Sequence, residues 1–170
     1  MDFLKLIKER YSCRNFNSAP IELEKLELVL EAARLAPTAA NRQPFKIIVI
    51  DTTEYKNELD EIYAKKWFTS APYILAIVTA ESDAWANEGG TTYEMLDAGI
   101  VFDHLSLMAS EIGLATCWVA AFNMEKAKKF LKLDGYTPAA FMPIGYPEDK
   151  ALEKKRKPIN DIVIYKLGKN

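Results

Sequence analysis

Arg10, Ser12 and Arg14 alternate near the start of the chain, in "ERYSCRNF". A guanidinium binds an anion through parallel charge-assisted hydrogen bonds worth about 1.5–3 kcal/mol each, and a hydroxyl adds another donor. A second cationic group, Lys154, Lys155, Arg156 and Lys157, lies near the other end. Folded together, the two groups would bind a phosphorylated ligand firmly; left apart, "EKKRK" is a solvated charge run. Two further stretches suit a flat polar ligand. In "APTAANRQPF" small residues permit close backbone approach, and Asn41 and Gln43 can both donate and accept. "GLATCWVAAF" would present strand-edge N–H groups between small side chains. Taken singly, the first also reads as a helix-to-strand connection and the second as a buried strand.

Other chemistries lack their residues. The sequence contains no G-x-G-x-x-G, no G-x-x-x-x-G-K-[ST] and no G-x-S-x-G. The one histidine, His104, falls inside a long apolar helix and reads as a packing or surface residue. With it, Cys13 and Cys117 cannot make a zinc cluster of the usual spacing. The carboxylates are scattered, with no evident acid–base pair. A net charge of −2 gives no overall field for nucleic acid. At 49% hydrophobic and 27% charged residues the composition is globular. The 170 residues suit one domain, 1–170, burying roughly 70% of its unfolded surface. "DFLKLIKERY" has no long apolar core and no later run reaches a membrane span, so the expectation is a soluble protein of the reducing cytoplasm.

The elements that must position these groups follow from periodicity. Phe3, Leu4, Leu6, Ile7 and Tyr11 predict a short first helix, and "NSAP" ends it. Leu23, Leu26, Val29, Leu30 and Ala33 form one stripe of a second. "FKIIVID" and "YILAIVTA" are β-branched core strands, separated by a polar-faced helix over "TEYKNELDEIYAKKW". "SDAWANEGG" reads as a flexible loop. The strongest helix starts at Thr91, with Thr91 and Glu94 as a capping box, and ends at Gly113. It is apolar on nearly every side, so it should be buried all round, in part by a second copy of the chain. "LATCWVAAF" is a third strand, "MEKAKKFLKL" a helix, "TPAAFMPIGYP" a fourth strand, and Ile162–Tyr165 a fifth. Roughly five helices and five strands, interleaved, make an α+β (α/β layered) domain.

Four motifs in register, "RYSCRNF", "APTAANRQPF", "GLATCWVAAF" and "KKRKP", resemble the nitroreductase-like FMN-dependent oxidoreductase family across nearly the whole chain. The resemblance implies a central mixed, mainly antiparallel sheet flanked by helices. It implies a homodimer sharing two FMN sites, each sheet extended by the partner's C-terminal strand. Arg10, Tyr11 and Ser12 then match the phosphate turn, Arg14 the basic residue near flavin N1 and O2, and Lys154 and Arg156 the C-terminal pair returning to the phosphate. Pro37, Thr38 and Asn41 match a loop laid on the flavin by the second subunit. Cys117, Trp118, Val119, Ala120 and Ala121 match the strand beside the ring, with a backbone N–H near Ala120 aimed at N5. No catalytic side chain and no metal are implied, and NAD(P)H is the co-substrate. The second substrate would be a nitroaromatic, quinone or related acceptor.

Some positions depart from the pattern. Tyr11 replaces a residue that is often basic, Phe45 replaces tryptophan, and Ala120–Ala121 replaces a stretch that often holds glycine. Lys65 or Lys66 stands where a flavin pyrimidine contact would be. The alanine pair also permits a flavin-binding or redox-sensing module with little turnover. A family variant acting on halogenated aromatics or on flavin itself would use Ser82–Thr92 as a substrate lid, with Trp85 and Tyr93 stacking on the substrate.

Overall fold

The computed structural model describes residues 2–167. The helices are α1 (Phe3–Glu9), α2 (Leu23–Arg34), α3 (Lys56–Ile62), α4 (Glu94–Glu111) and α5 (Met124–Leu131). The strands are β1 (Phe45–Asp51), β2 (Tyr73–Thr79), β3 (Ala115–Thr116) and β4 (Thr137–Gly145). They form one sheet in the order β1-β2-β4-β3, with every ladder antiparallel. A parallel bridge from Ser12 to Thr116 on the outer edge of β3 makes the sheet mixed. The α+β layered architecture expected from the sequence is thus the one observed.

Strand geometry sorts the core. Successive side chains of a strand point to opposite faces. In β2, Leu75 and Ile77 face the layer of α2 and α4, packing with Val29, Val101, Phe102 and Leu105. Ile74 and Ala76 face α3 and α5, packing with Leu59, Ile62, Phe68 and Ala127. Both faces are covered, which is why β2 reads as a continuous apolar run.

Several boundaries differ from the sequence reading. Helix α4 begins at Glu94 behind Tyr93, and no side chain caps it. Thr91 and Thr92 belong instead to a tight hairpin, in which the Asn87 N–H donates to the Thr91 carbonyl and Ala86 bridges Thr92. The Asn87 side chain also accepts from the N–H groups of Gly89 and Thr91, so the 82–92 segment is internally knit rather than an open loop. Within the single chain α4 buries one face, Ala98, Val101, Phe102, Leu105 and Ala109, while Met95 and Leu96 stay more than half exposed. Leu23 opens α2 but faces solvent. Helix α3 is shorter than predicted because Tyr63 turns extended and joins Trp67 and Phe68 in edge-to-face contacts. No fifth strand forms among the described residues: the N–H groups of Ile162 and Val163 turn back to the Ile159 carbonyl, and Ile162, Ile164 and Tyr165 are exposed. Among the described residues no helix is long and apolar enough to cross a membrane.

Candidate functional site

Helix α1 stops at Glu9, and its last carbonyls need donors. Lys154 supplies them: its Nζ donates to the carbonyls of Ile7 (2.9 Å) and Lys8 (2.5 Å). The chain then runs extended along the edge of β3, where the Cys13 N–H donates to the Thr116 carbonyl at 3.0 Å. Beyond Cys13 it meets the end of β4. Phe16 bridges Pro147, the Asn17 N–H donates to the Tyr146 carbonyl, and the Glu148 N–H donates to the Asn15 carbonyl. Gly145 permits this crossing, since a Cβ there would lie 2.8 Å from Pro72 Cδ and 3.4 Å from Phe16 Cδ1. The two ends of the chain are therefore laced together at one corner of the sheet.

Extended backbone alternates its side chains. Ser12 and Arg14 face out and Arg10 is half-buried, while Cys13 is fully buried. The Arg14 guanidinium donates to the Ser12 carbonyl at 3.3 Å and sits 5.8 Å from the Trp67 ring centre. The Lys154 ammonium is held below its ordinary value, first by desolvation and then by repulsion from Arg10 and Arg156. Burial pushes the Cys117 thiol up, opposed by the Arg14 charge, the Ser12 hydroxyl and the Arg10 charge. Lys154 thus feels Arg10 and Arg156, and Cys117 feels Arg14 and Arg10, so Arg10 is common to both groups. None of the four cations is ion-paired with a carboxylate among the described residues. The repulsion of Lys154 by Arg10 and Arg156 is the kind that a bound anion would relieve.

The inward side of this turn meets one carboxylate. Asp149 Oδ2 accepts from the Arg14 N–H at 2.8 Å. Its Oδ1 accepts from the Tyr11 hydroxyl at 2.8 Å and from the Cys13 thiol at 3.0 Å. Burial raises the Asp149 carboxyl, but these three donors outweigh it and hold the group below its usual range. Burial and then Asp149 push the Cys13 thiol up to about 12, so at neutral pH it is a protonated donor.

Beyond β3 the chain leaves the sheet and rejoins it at Val119. The Val119 N–H donates to the Phe141 carbonyl (2.8 Å), and the Phe141 N–H returns the bond (2.9 Å). Neighbouring N–H groups along a strand point to opposite edges, so those of Trp118 and Ala120 turn away from β4. No backbone carbonyl among the described residues accepts from the Ala120 N–H. Ala120 and Ala121 are exposed, and the half-exposed Trp118 indole stands edge-to-face on Phe102 at 5.3 Å.

The loop between Pro37 and Pro44 lies elsewhere. Ala40, Asn41 and Gln43 all have positive φ (48°, 54° and 52°), unusual for residues with a Cβ. The conformation is held by Asp97 Oδ1, which accepts from the Ala39 N–H at 2.9 Å, and by Thr38 Oγ1, which accepts from the Gln43 N–H at 3.1 Å. The Gln43 amide donates back to Asn41. Asp97 is in the first turn of α4, whereas Ser110, in its last, lines a 180 Å³ cleft beside Arg10 and Tyr11. Those positions are about 20 Å apart along the helix axis. The structure unites the two chain ends and the β3 edge, and leaves this loop at the other end of α4. Asp149 and Trp67 carry the corner's geometry, and Asp97 that of the distant loop, without having stood out in the sequence. The only hint was the Tyr11–Cys13 alternation, which marks a second, inward row.

The family model described as "Putative TM nitroreductase" matches residues 2–169. The chain belongs to the nitroreductase family. A crystal structure of a nitroreductase family protein from Clostridium difficile 630 is 36% identical, covers 98% of this chain and 99% of its own, and superposes with a TM-score of 0.90. The FMN reductase [NAD(P)H] of Bacillus subtilis is 26% identical over 92% of this chain and 70% of its own length. A Streptococcus pyogenes relative called "Putative NAD(P)H nitroreductase" is 26% identical over 96% of this chain and 98% of its own. The resemblance drawn from the four motifs and this nitroreductase membership agree.

Proposed function

We propose that the chain is an NAD(P)H-dependent FMN oxidoreductase acting as a homodimer. The observation that supports this is that Lys154 and Arg156, from one end of the sequence, come against Arg10 from the other, with no carboxylate ion-paired to them among the described residues, while Arg14 and Arg10 both act on Cys117. This donor set fits FMN. Arg10, Ser12, Lys154 and Arg156 would hold the phosphate, with Tyr11 bracing the turn. Two donors of Lys154 already serve α1, which leaves its third for the ligand. Arg14 would favour negative charge at the pyrimidine edge, and the edge from Cys117 to Ala121 would lie along the ring with the Ala120 N–H toward N5. When bound, FMN supplies two-electron hydride chemistry, drawn from NAD(P)H and passed in a second half-reaction to a nitroaromatic, quinone or related acceptor. The chain need only bind, orient and stabilise charge, in accord with its lack of a triad-like constellation.

Three features support the dimer. Pro37, Thr38 and Asn41 sit about 20 Å along α4 from the cations, so only a second copy could bring such a loop to the same ligand. Met95 and Leu96 on α4, and Phe3 and Leu4 on α1, are exposed. Ile162, Ile164, Tyr165 and Leu167 are exposed on a segment without a strand partner. Several large apolar side chains exposed on separate elements are what an association surface would cover.

The test is spectroscopic. The purified protein should show flavin absorption, which NADH or NADPH should bleach without oxygen and an added acceptor restore. A protein that holds flavin but is bleached by neither nicotinamide would be a binding module; one that holds none sinks the reading.

A further inference from the structure

We propose that Asp149 is the positioning residue of the anion site, gripping the inward row of the N-terminal turn so that Arg10, Ser12 and Arg14 face the ligand. The inference rests on the flavin reading above.

The grip is specific to a carboxylate. Tyr11, Cys13 and the Arg14 N–H all donate, and an ionised carboxylate is acceptor-only, so it serves all three at once. Asparagine of the same shape would set an NH2 group against a donor. The Tyr11 hydroxyl also lies 2.8 Å from the Asp149 carbonyl, and the Cys13 thiol 3.2 Å from that of Asn15, so each donor is confined between two acceptors. Cys13 is completely buried, and its strongly raised thiol value keeps the proton needed for this bond.

The same side chain fixes where the C-terminal cations begin. Asp149 follows the Phe16–Pro147 bridge and the Glu148-to-Asn15 bond, and the chain from it leads within seven residues to Lys154 and Arg156. It touches none of the outward groups except through the Arg14 backbone. It would therefore act on the ligand only through the residues it holds.

Riboflavin separates this role from general damage, because it carries the ring without the phosphate. The parent protein, titrated with FMN and with riboflavin, should prefer FMN. In Asp149→Asn that preference should shrink by about tenfold or more, the equivalent of one lost charged hydrogen bond. Riboflavin affinity should fall less, because of the groups that Asp149 positions only Arg14 is assigned to the ring. Tyr11→Phe removes one of the three donors, keeps the ring, and should shrink the preference by a smaller factor. An unchanged preference in Asp149→Asn overturns the inference, as does an equal loss of both flavins. If that variant does not fold, an unchanged preference in Tyr11→Phe overturns it. A parent that binds neither flavin overturns the flavin reading and this inference with it. A parent that prefers FMN alongside variants that do so equally overturns the role of Asp149 alone.

Discussion

The two arginines of the turn contribute little to the core. Arg14 is exposed and its closest partners are a backbone carbonyl and the Trp67 face, while Arg10 is half-buried at the end of α1. Replacing both by alanine should leave the thermal transition nearly unchanged. It should also weaken FMN binding by two orders of magnitude or more, since two charged hydrogen bonds are worth about 3 kcal/mol or above. Flavin content after gel filtration, set beside a circular dichroism melt, checks both halves; parental flavin content would reduce the pair to surface decoration. These residues were legible because arginine and serine at alternate positions are a conspicuous local pattern. Asp149 was not, because its bonds to Tyr11 and Cys13 span 138 and 136 residues and nothing within "YPEDK" marks them.

Local pattern also governed which elements could be read. Strand β1 matches its predicted bounds, because seven apolar-rich residues bordered by Pro44 and a turn leave little choice. The end of α4 was equally visible. The Leu114 N–H donates to the Ala109 carbonyl at 2.8 Å and the Gly113 N–H to that of Ser110, a paired closure that needs positive φ at Gly113. The same helix's start was misread because Thr91 competes as a hairpin residue, an outcome set by Asn87 rather than by propensity. Likewise "LATCWVAAF" has strand composition, yet only Ala115 and Thr116 join the ladder before Val119 returns as an isolated bridge. The positive φ values of Ala40 and Gln43 were invisible, since neither residue type announces them. Gly113 offers a clean test of the closure. A Cβ there meets nothing within 4 Å, so Gly113→Ala adds no clash. Its cost is the left-handed backbone alone, about 1–2 kcal/mol, read as a lower denaturation midpoint with an unchanged slope. No shift would mean that the helix end relaxes freely.

At the scale of the whole molecule, the proposed dimer rests on what the single chain leaves uncovered. Its cations and open strand edge gather at one corner, its strained loop is held at the far end of α4, and its C-terminal apolar run lies in solvent. A two-fold axis across α4 would let each loop reach the other chain's corner and would cover Met95 and Leu96 on both copies. The C-terminal run then has one destination, the partner. Large apolar side chains gain about 1.5–3 kcal/mol each on full burial, and four such residues, Ile162, Ile164, Tyr165 and Leu167, are exposed on this segment. That gain is of the same order as the cost of ordering the segment, so the run would tip a balance to which other covered apolar surface also contributes. Removing residues 160–170 should therefore shift the protein from dimer to monomer in sedimentation or light scattering. Lys154 and Arg156 remain in place, so weaker flavin retention in the truncated chain would trace to the missing partner rather than to missing cations. A truncated chain with the parent's mass would place the dimer contact elsewhere, and a monomeric parent would remove the shared site altogether.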